Sequence, residues 1–139
     1  MDDPQTGEMT GIHRTALTPE GRKIDRKMLG RGGVVRLADD ADVTTALGIA
    51  EGIETALSVI QSGWRPVWAG LSAGGIARLP VLAGIECLTI FADADDAGVD
   101  AAQKCAERWS AAGREARIVV APEASTDWLD HLGEAGHAA

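Results

Sequence analysis

Residues 88–98, LTIFADADDAG, run an apolar stretch straight into three aspartates, Asp93, Asp95 and Asp96, with Gly98 behind them. Carboxylates this close repel and raise one another's pKa, and a bound cation relieves that strain. Where an extended strand begins to turn, residues i and i+2 can point the same way. Asp93 and Asp95 would then offer oxygens to one hard ion. Mg²⁺ prefers such ligands, keeps several waters, and usually takes one or two protein carboxylates plus substrate phosphate; Mn²⁺ accepts the same donors. Asp96 suits a helix N-terminus, where an acid is favoured by the dipole and can cap free N–H groups. The plainer reading of one Asp-x-Asp is a helix cap beside a solvated acid. Glu51, followed by Gly52, adds an acid at the end of another apolar run, VTTALGIA. Asp127 and Asp130 follow the last such run.

These acids matter only if the chain brings them together. VTTALGIA reads as a strand, and Ile53, Ala56, Leu57 and Ile60 follow at helical spacing up to Gly63. RPVWAGL is a short strand, and SAGGIARLP is a glycine loop with one helical turn. CLTIFA is a strand, residues 96–113 form a long helix closed by Gly113, and EARIVVA is a strand. A loop and short helix complete the chain. Alternating strands and helices with near-continuous apolar strands predict an α/β fold, a parallel sheet of about four strands with helices on both faces. Ligands of such sheets sit outside the carboxyl ends of the strands. Glu51, Asp93, Asp95, Asp127 and Asp130 all map to that rim. Neighbouring strand ends lie ~5 Å apart, so adjacency of the first and third strands would let Glu51 share an ion with the Asp pair.

Ahead of the sheet, residues 1–9 are expected to be disordered. Residues 10–42 form a basic extension: a β-hairpin turning at Pro19–Gly21, a GRGG loop, a short VVRL strand and a polar connector. Residues 43–139 form the α/β domain. The net charge of −8 is unevenly spread. Residues 10–36 hold seven Lys or Arg against two acids, a net of +5, whereas residues 37–139 hold six against sixteen, a net of −10. An acidic body suits divalent cations, and Arg14, Arg22, Lys23, Arg26 and Lys27 are candidates to hold a nucleic-acid backbone. A solvated hairpin beside an ordinary acidic surface explains the same pattern. GLSAGG would bring backbone N–H groups near phosphate, or serve as a plain connector.

Composition removes several classes. There is no tyrosine, so no tyrosine nucleophile acts. The two cysteines, Cys87 and Cys105, form no CxxC and suit the core, as do Trp68 and Trp109. The N-terminal MDDPQTGEMTG is acidic and polar, unlike a signal peptide, and no apolar run nears the ~20 residues of a membrane span. A cytoplasmic protein is expected.

GIAEGIETALS (48–58) and LTIFADADDAGVDAA (88–102) resemble the two signature motifs of the Toprim domain. That domain is shared by bacterial DNA primases, topoisomerases, some nucleases and recombination proteins. The resemblance runs from about residue 43 to 133 and implies a Toprim-like, Rossmann-like sheet. Within the family, GIHRTALTPEGRKIDRKMLG, GGVVRL, LSAGGIARLP and DWLDHL are similar to landmarks of primase-like proteins of plasmids, phages and integrated elements. Leu129 and His131 depart from the usual DWNDLL. The resemblance implies that Glu51 is the acid/base or metal-bridging glutamate and that Asp93 and Asp95 coordinate Mg²⁺. Asp127 and Asp130 would add outer contacts. Thr55 stands where a further acid often occurs.

The implied activity is nucleotidyl transfer on single-stranded DNA or RNA with nucleoside triphosphates, alongside a helicase or other replication protein. A small metal-dependent nuclease uses the same carboxylates, and a partner-dependent module without its own catalysis is the third reading. A phosphatase of the haloacid-dehalogenase type would need a hydroxyl or branched residue where Ala97 stands. A response-regulator receiver would need a lysine that IVVAPEAS lacks.

Overall fold

The computed structural model describes residues 1–121. The expected C-terminal helix, with Asp127 and Asp130, lies outside the described residues. A hairpin of β1 (Gly11–Leu17) and β2 (Lys23–Gly30) comes first. Then follow β3 (Val35–Arg36), β4 (Ala46–Ala50), α1 (Ile53–Gln61), β5 (Val67–Ala69), α2 (Ala73–Arg78), β6 (Cys87–Ala92), α3 (Asp96–Ala111) and β7 (Glu115–Val120). Five strands form one sheet in the order β3-β5-β4-β6-β7. β4 to β7 are mutually parallel, the four strands expected; β3 adds an antiparallel edge against β5.

Alternation along the strands builds two cores, one on each face. Leu47, Ile49, Leu88 and Ile90 pack with Ile76 of α2 and with Ala102, Cys105 and Trp109 of α3. Ala50, Val67, Ala69 and Phe91 pack with Ala56 and Val59 of α1. Strands covered on both faces need apolar residues at every position, which is why CLTIFA and ALGIA read as unbroken runs. Trp68 and Trp109 are buried as expected. Cys105 is buried, while Cys87 is only half-buried. No helix among the described residues is long and apolar enough to cross a membrane.

Residues 1–9 depart from the expected disorder. Asp2 bridges to both Met9 and Val34. The Asp2 N–H donates to the Val34 carbonyl at 2.8 Å, and the Val34 N–H returns the bond at 2.9 Å. Asp3 closes the intervening turn by accepting from the Gln5 and Thr6 N–H groups, each at 2.9 Å. Main-chain pairing, invisible in the side-chain pattern, ties this segment to the body.

Candidate functional site

β4 and β6 are neighbours, with Ala50 opposite Phe91. Glu51 therefore leaves the sheet one residue beyond that pair and Asp93 two residues beyond it, on the same rim. The expected adjacency is present, and the acids sense each other. Partial burial pushes the Glu51 carboxyl above its ordinary value, and the charges of Asp93 and Asp95 push it further the same way. The backbone N–H of Ala73 and the charge of Arg26 act in the opposite direction, more weakly.

Asp95, rather than Asp96, caps α3. Its Oδ1 accepts from the Gly98 N–H at 2.6 Å, a short charge-assisted bond at the positive end of the helix. Asp96 occupies the first turn. The bend from β6 into α3 is tight: a Cβ on Gly98 would come within 2.8 Å of the Asp93 carbonyl oxygen. Glycine at 98 thus allows Asp93 and the cap to sit in one turn.

The next strand end, β5, feeds the other side of the rim. The Gly70 N–H donates to the Ala50 carbonyl at 2.8 Å, and Leu71 follows with φ of 69°. A non-glycine residue held there costs of order 1–2 kcal/mol, offset here by burial of the Leu71 side chain. Ser72 caps α2, its Oγ accepting from the Gly75 N–H at 3.0 Å. A Cβ on Gly75 would fall 2.0 Å from the Gly70 carbonyl oxygen, so α2 can lie this close to the turn only with glycine. The glycine loop of the sequence is thus a helix of six residues, Ala73–Arg78.

All five basic candidates are exposed. Lys23 Nζ stands 3.1 Å from Glu54 Oε1 on the first turn of α1. The Glu54 carboxyl lies below its ordinary value, chiefly through its own backbone N–H and then through Lys23. Arg26, opposite Thr15 in the hairpin, also acts on Glu51 and Glu54. Lys23 thus reaches the start of α1, and the charge of Arg26 is felt at Glu51. Arg14 faces Lys27 across the ribbon, Lys27 lies 4.0 Å from Asp25, and Arg22 follows the turn. Thr55 is buried and offers the rim no carboxylate.

The carboxylate donor set suits a hard divalent cation. Among the described residues, no group of three or more His, Cys, Asp or Glu side chains is placed to hold a metal ion. Asp95 commits one oxygen to its helix. Mg²⁺ usually takes one or two protein carboxylates and fills its remaining positions with water and phosphate.

Sequence reasoning missed Arg31 and Arg78. Both line a cavity of about 460 Å³ between the loop after β2 and the β5–α2 turn. Their positions 47 residues apart gave no periodic or motif signal.

A family model for the Toprim domain matches residues 46–138. The chain belongs to the Toprim domain family. No curated protein gave a match. Among solved structures, this Toprim domain is similar to a DNA primase domain from Pseudomonas aeruginosa, with a TM-score of 0.56 and 19% identity over 99% of this chain and 54% of that one. It is also similar to a DnaG primase catalytic domain bound to ssDNA, with a TM-score of 0.55 and 20% identity over 93% and 51%. The primase fragment of the bacteriophage T7 primase-helicase protein matches with a TM-score of 0.53 and 17% identity over 96% and 62%. At these identities the likeness establishes the fold. This chain spans about half the length of the first two.

Proposed function

We propose that this Toprim domain is the catalytic module of a primase-like nucleotidyltransferase, working in the cytoplasm on the replicating DNA of a mobile element. One observation carries the reading: neighbouring parallel strands deliver Glu51 and the Asp93/Asp95 pair to one rim, where burial and the two aspartates raise the Glu51 pKa. The likeness to primase structures, one bound to ssDNA, supports the choice among Toprim chemistries. The mobile-element setting rests on the resemblance of segments 11–37 and 71–80.

In this reading a primer 3′-hydroxyl attacks the α-phosphorus of a nucleoside triphosphate and pyrophosphate leaves. Asp93, Asp95 and Glu51 are the residues that would hold Mg²⁺ or Mn²⁺. When bound, the ion supplies charge neutralisation at the phosphates and activation of the attacking oxygen. Glu51 would either share the ion or take the hydroxyl proton; a bound cation offsets the repulsion that raises its pKa. Lys23 and Arg26, with Arg14, Arg22 and Lys27 behind them, would hold the template backbone beside the rim.

The test is incubation with single-stranded DNA, rNTPs and Mn²⁺ or Mg²⁺. Short RNA products lost in Asp93→Asn support the reading. Metal-dependent cleavage of the DNA without synthesis replaces it with a nuclease. A second reading, a module that acts only beside further primase and helicase parts, is favoured by the half-length match to primase structures. Under it, metal binding persists and synthesis waits for the added parts.

A further inference from the structure

Lys23 and Arg26 share one face of the hairpin because its pairing is broken between them. Ala16 lies opposite Asp25 and Leu17 opposite Lys23, so the register skips Ile24. Residues two apart on a strand share a face, and one extra residue in the partner strand moves those beyond it to the other side. Lys23, opposite Leu17, therefore falls on the same face as Arg26, opposite Thr15. In regular pairing the two cations would point apart.

Both cations meet acids. Lys23 Nζ stands 3.1 Å from Glu54 Oε1. The Glu54 carboxylate folds back toward Gly52, where an added Cβ would lie 3.4 Å from its Oε2, and Gly52 follows Glu51 in the chain. Arg26 acts on Glu51 and Glu54 together. Of Glu51, Glu54, Asp93 and Asp95, Glu54 is thus already paired, and the two cations offset half of the charge. Asp96 sits in the first turn of α3, against the helix dipole. Thr55, next to Glu54, is buried and neutral. The charge left over is that of one divalent ion.

We propose that Lys23 and Arg26 are resident counter-cations of the acidic rim, so that the rim holds a single divalent ion and Glu54 is not among its ligands. The proposal deepens the nucleotidyl-transfer reading and rests on it for the presence of that ion. A phosphate backbone that drew Lys23 off Glu54 would return a negative charge to the rim, which couples strand binding to cation binding.

The test is Mn²⁺ binding to the full chain without nucleotide, by calorimetry, with bound ions counted by electron paramagnetic resonance. Wild type should bind one ion. Lys23→Ala leaves Glu54 uncompensated and should tighten Mn²⁺ by about fivefold, the upper end for an exposed charge. Arg26→Ala should tighten it similarly. Glu54→Gln leaves Lys23 uncompensated and should weaken it by about the same factor. The double variant Lys23→Ala/Glu54→Gln is neutral, like the wild-type pair, and should bind as wild type does. Arg65→Ala removes the same charge ahead of β5, at the opposite end of the sheet, and should change little. Lys23 and Glu54 are half exposed, and a thermal melt confirms that each variant folds.

Two ions of comparable affinity in wild type overturn the proposal, as does a wild type that binds none. Mn²⁺ affinity unchanged in both Lys23→Ala and Arg26→Ala overturns it too. A double variant far weaker than wild type makes Glu54 a ligand, with the same result. The two readings fail separately. RNA synthesis by a rim that holds two ions removes only the counter-cation proposal. One bound ion that follows this charge pattern, without any RNA product, removes only the nucleotidyl-transfer reading.

Discussion

Asp95 holds two positions at once, and two substitutions separate them. Its Oδ1 caps α3 through the Gly98 N–H at 2.6 Å, and its charge acts on Glu51 across the rim. Asp95→Ala loses both, at about 1 kcal/mol for the cap. Asp95→Asn keeps a capping oxygen and loses the charge. The dipole interaction lost, at most about 1 kcal/mol, is opposed by relief of repulsion toward Glu51. For 139 residues, an unfolding entropy of about 2.1 cal/mol/K per residue gives about 0.29 kcal/mol/K. In EDTA, Asp95→Ala should therefore melt about 3 °C below wild type, and Asp95→Asn close to it.

Divalent cation adds a second axis. At a free Mg²⁺ concentration tenfold above Kd, linkage contributes about 1.4 kcal/mol, or about 5 °C in Tm on the same scale. Wild type should gain this shift and both variants should lose most of it. The assay is a set of thermal melts in EDTA and across a Mg²⁺ or Mn²⁺ titration. If Asp95→Asn falls as far as Asp95→Ala in EDTA, the cap is not what Asp95 contributes. If Asp95→Asn keeps the full cation shift, Asp95 does not hold the ion.

Three further outcomes are expected. A carboxyl whose pKa is raised on folding stabilises the fold below the unfolded glutamate pKa, and that contribution is lost as pH rises through the folded value. Glu51→Gln should therefore raise the metal-free Tm at pH 7, and pH-dependent melts in EDTA should show the gain vanish below pH ~4. Lys23→Ala should cost under about 1 kcal/mol, because its ion pair with Glu54 is exposed, while urea titration checks the stability and oligonucleotide binding loses about one unit of salt slope. Burial pushes the Cys105 thiol up to about 11, so iodoacetamide at pH 8 should label Cys87 in the native chain and Cys105 only after unfolding, as read by mass spectrometry.

Much of this arrangement was legible because parallel strands covered on both faces announce themselves. CLTIFA and ALGIA have no polar face, so their acidic ends stand out, and alternation with helices orders the rest. Both Asp95 and Asp96 suit a helix start, and only main-chain geometry puts the N-cap at Asp95. Gly74 and Gly75 have low helix propensity, which hides most of α2 in the sequence; close packing of Gly75 against Gly70 overrides that cost. The order of residues 1–9 depends on backbone pairing with Val34, which leaves no mark on side-chain pattern. Arg31 and Arg78 line one cavity only through tertiary folding.

On the proposed function, the charged ribbon of β1 and β2 sets how the protein would meet a polyanion. Seen from afar the molecule is a monopole of −8, and it repels. Seen from within a Debye length, ~10 Å at 0.1 M salt, an approaching strand feels only the nearest cationic edge. Dilute buffer extends the reach of the repulsion, and concentrated salt erases the attraction. Under the proposed function, encounter is expected to be fastest at intermediate ionic strength, with the ribbon edge foremost.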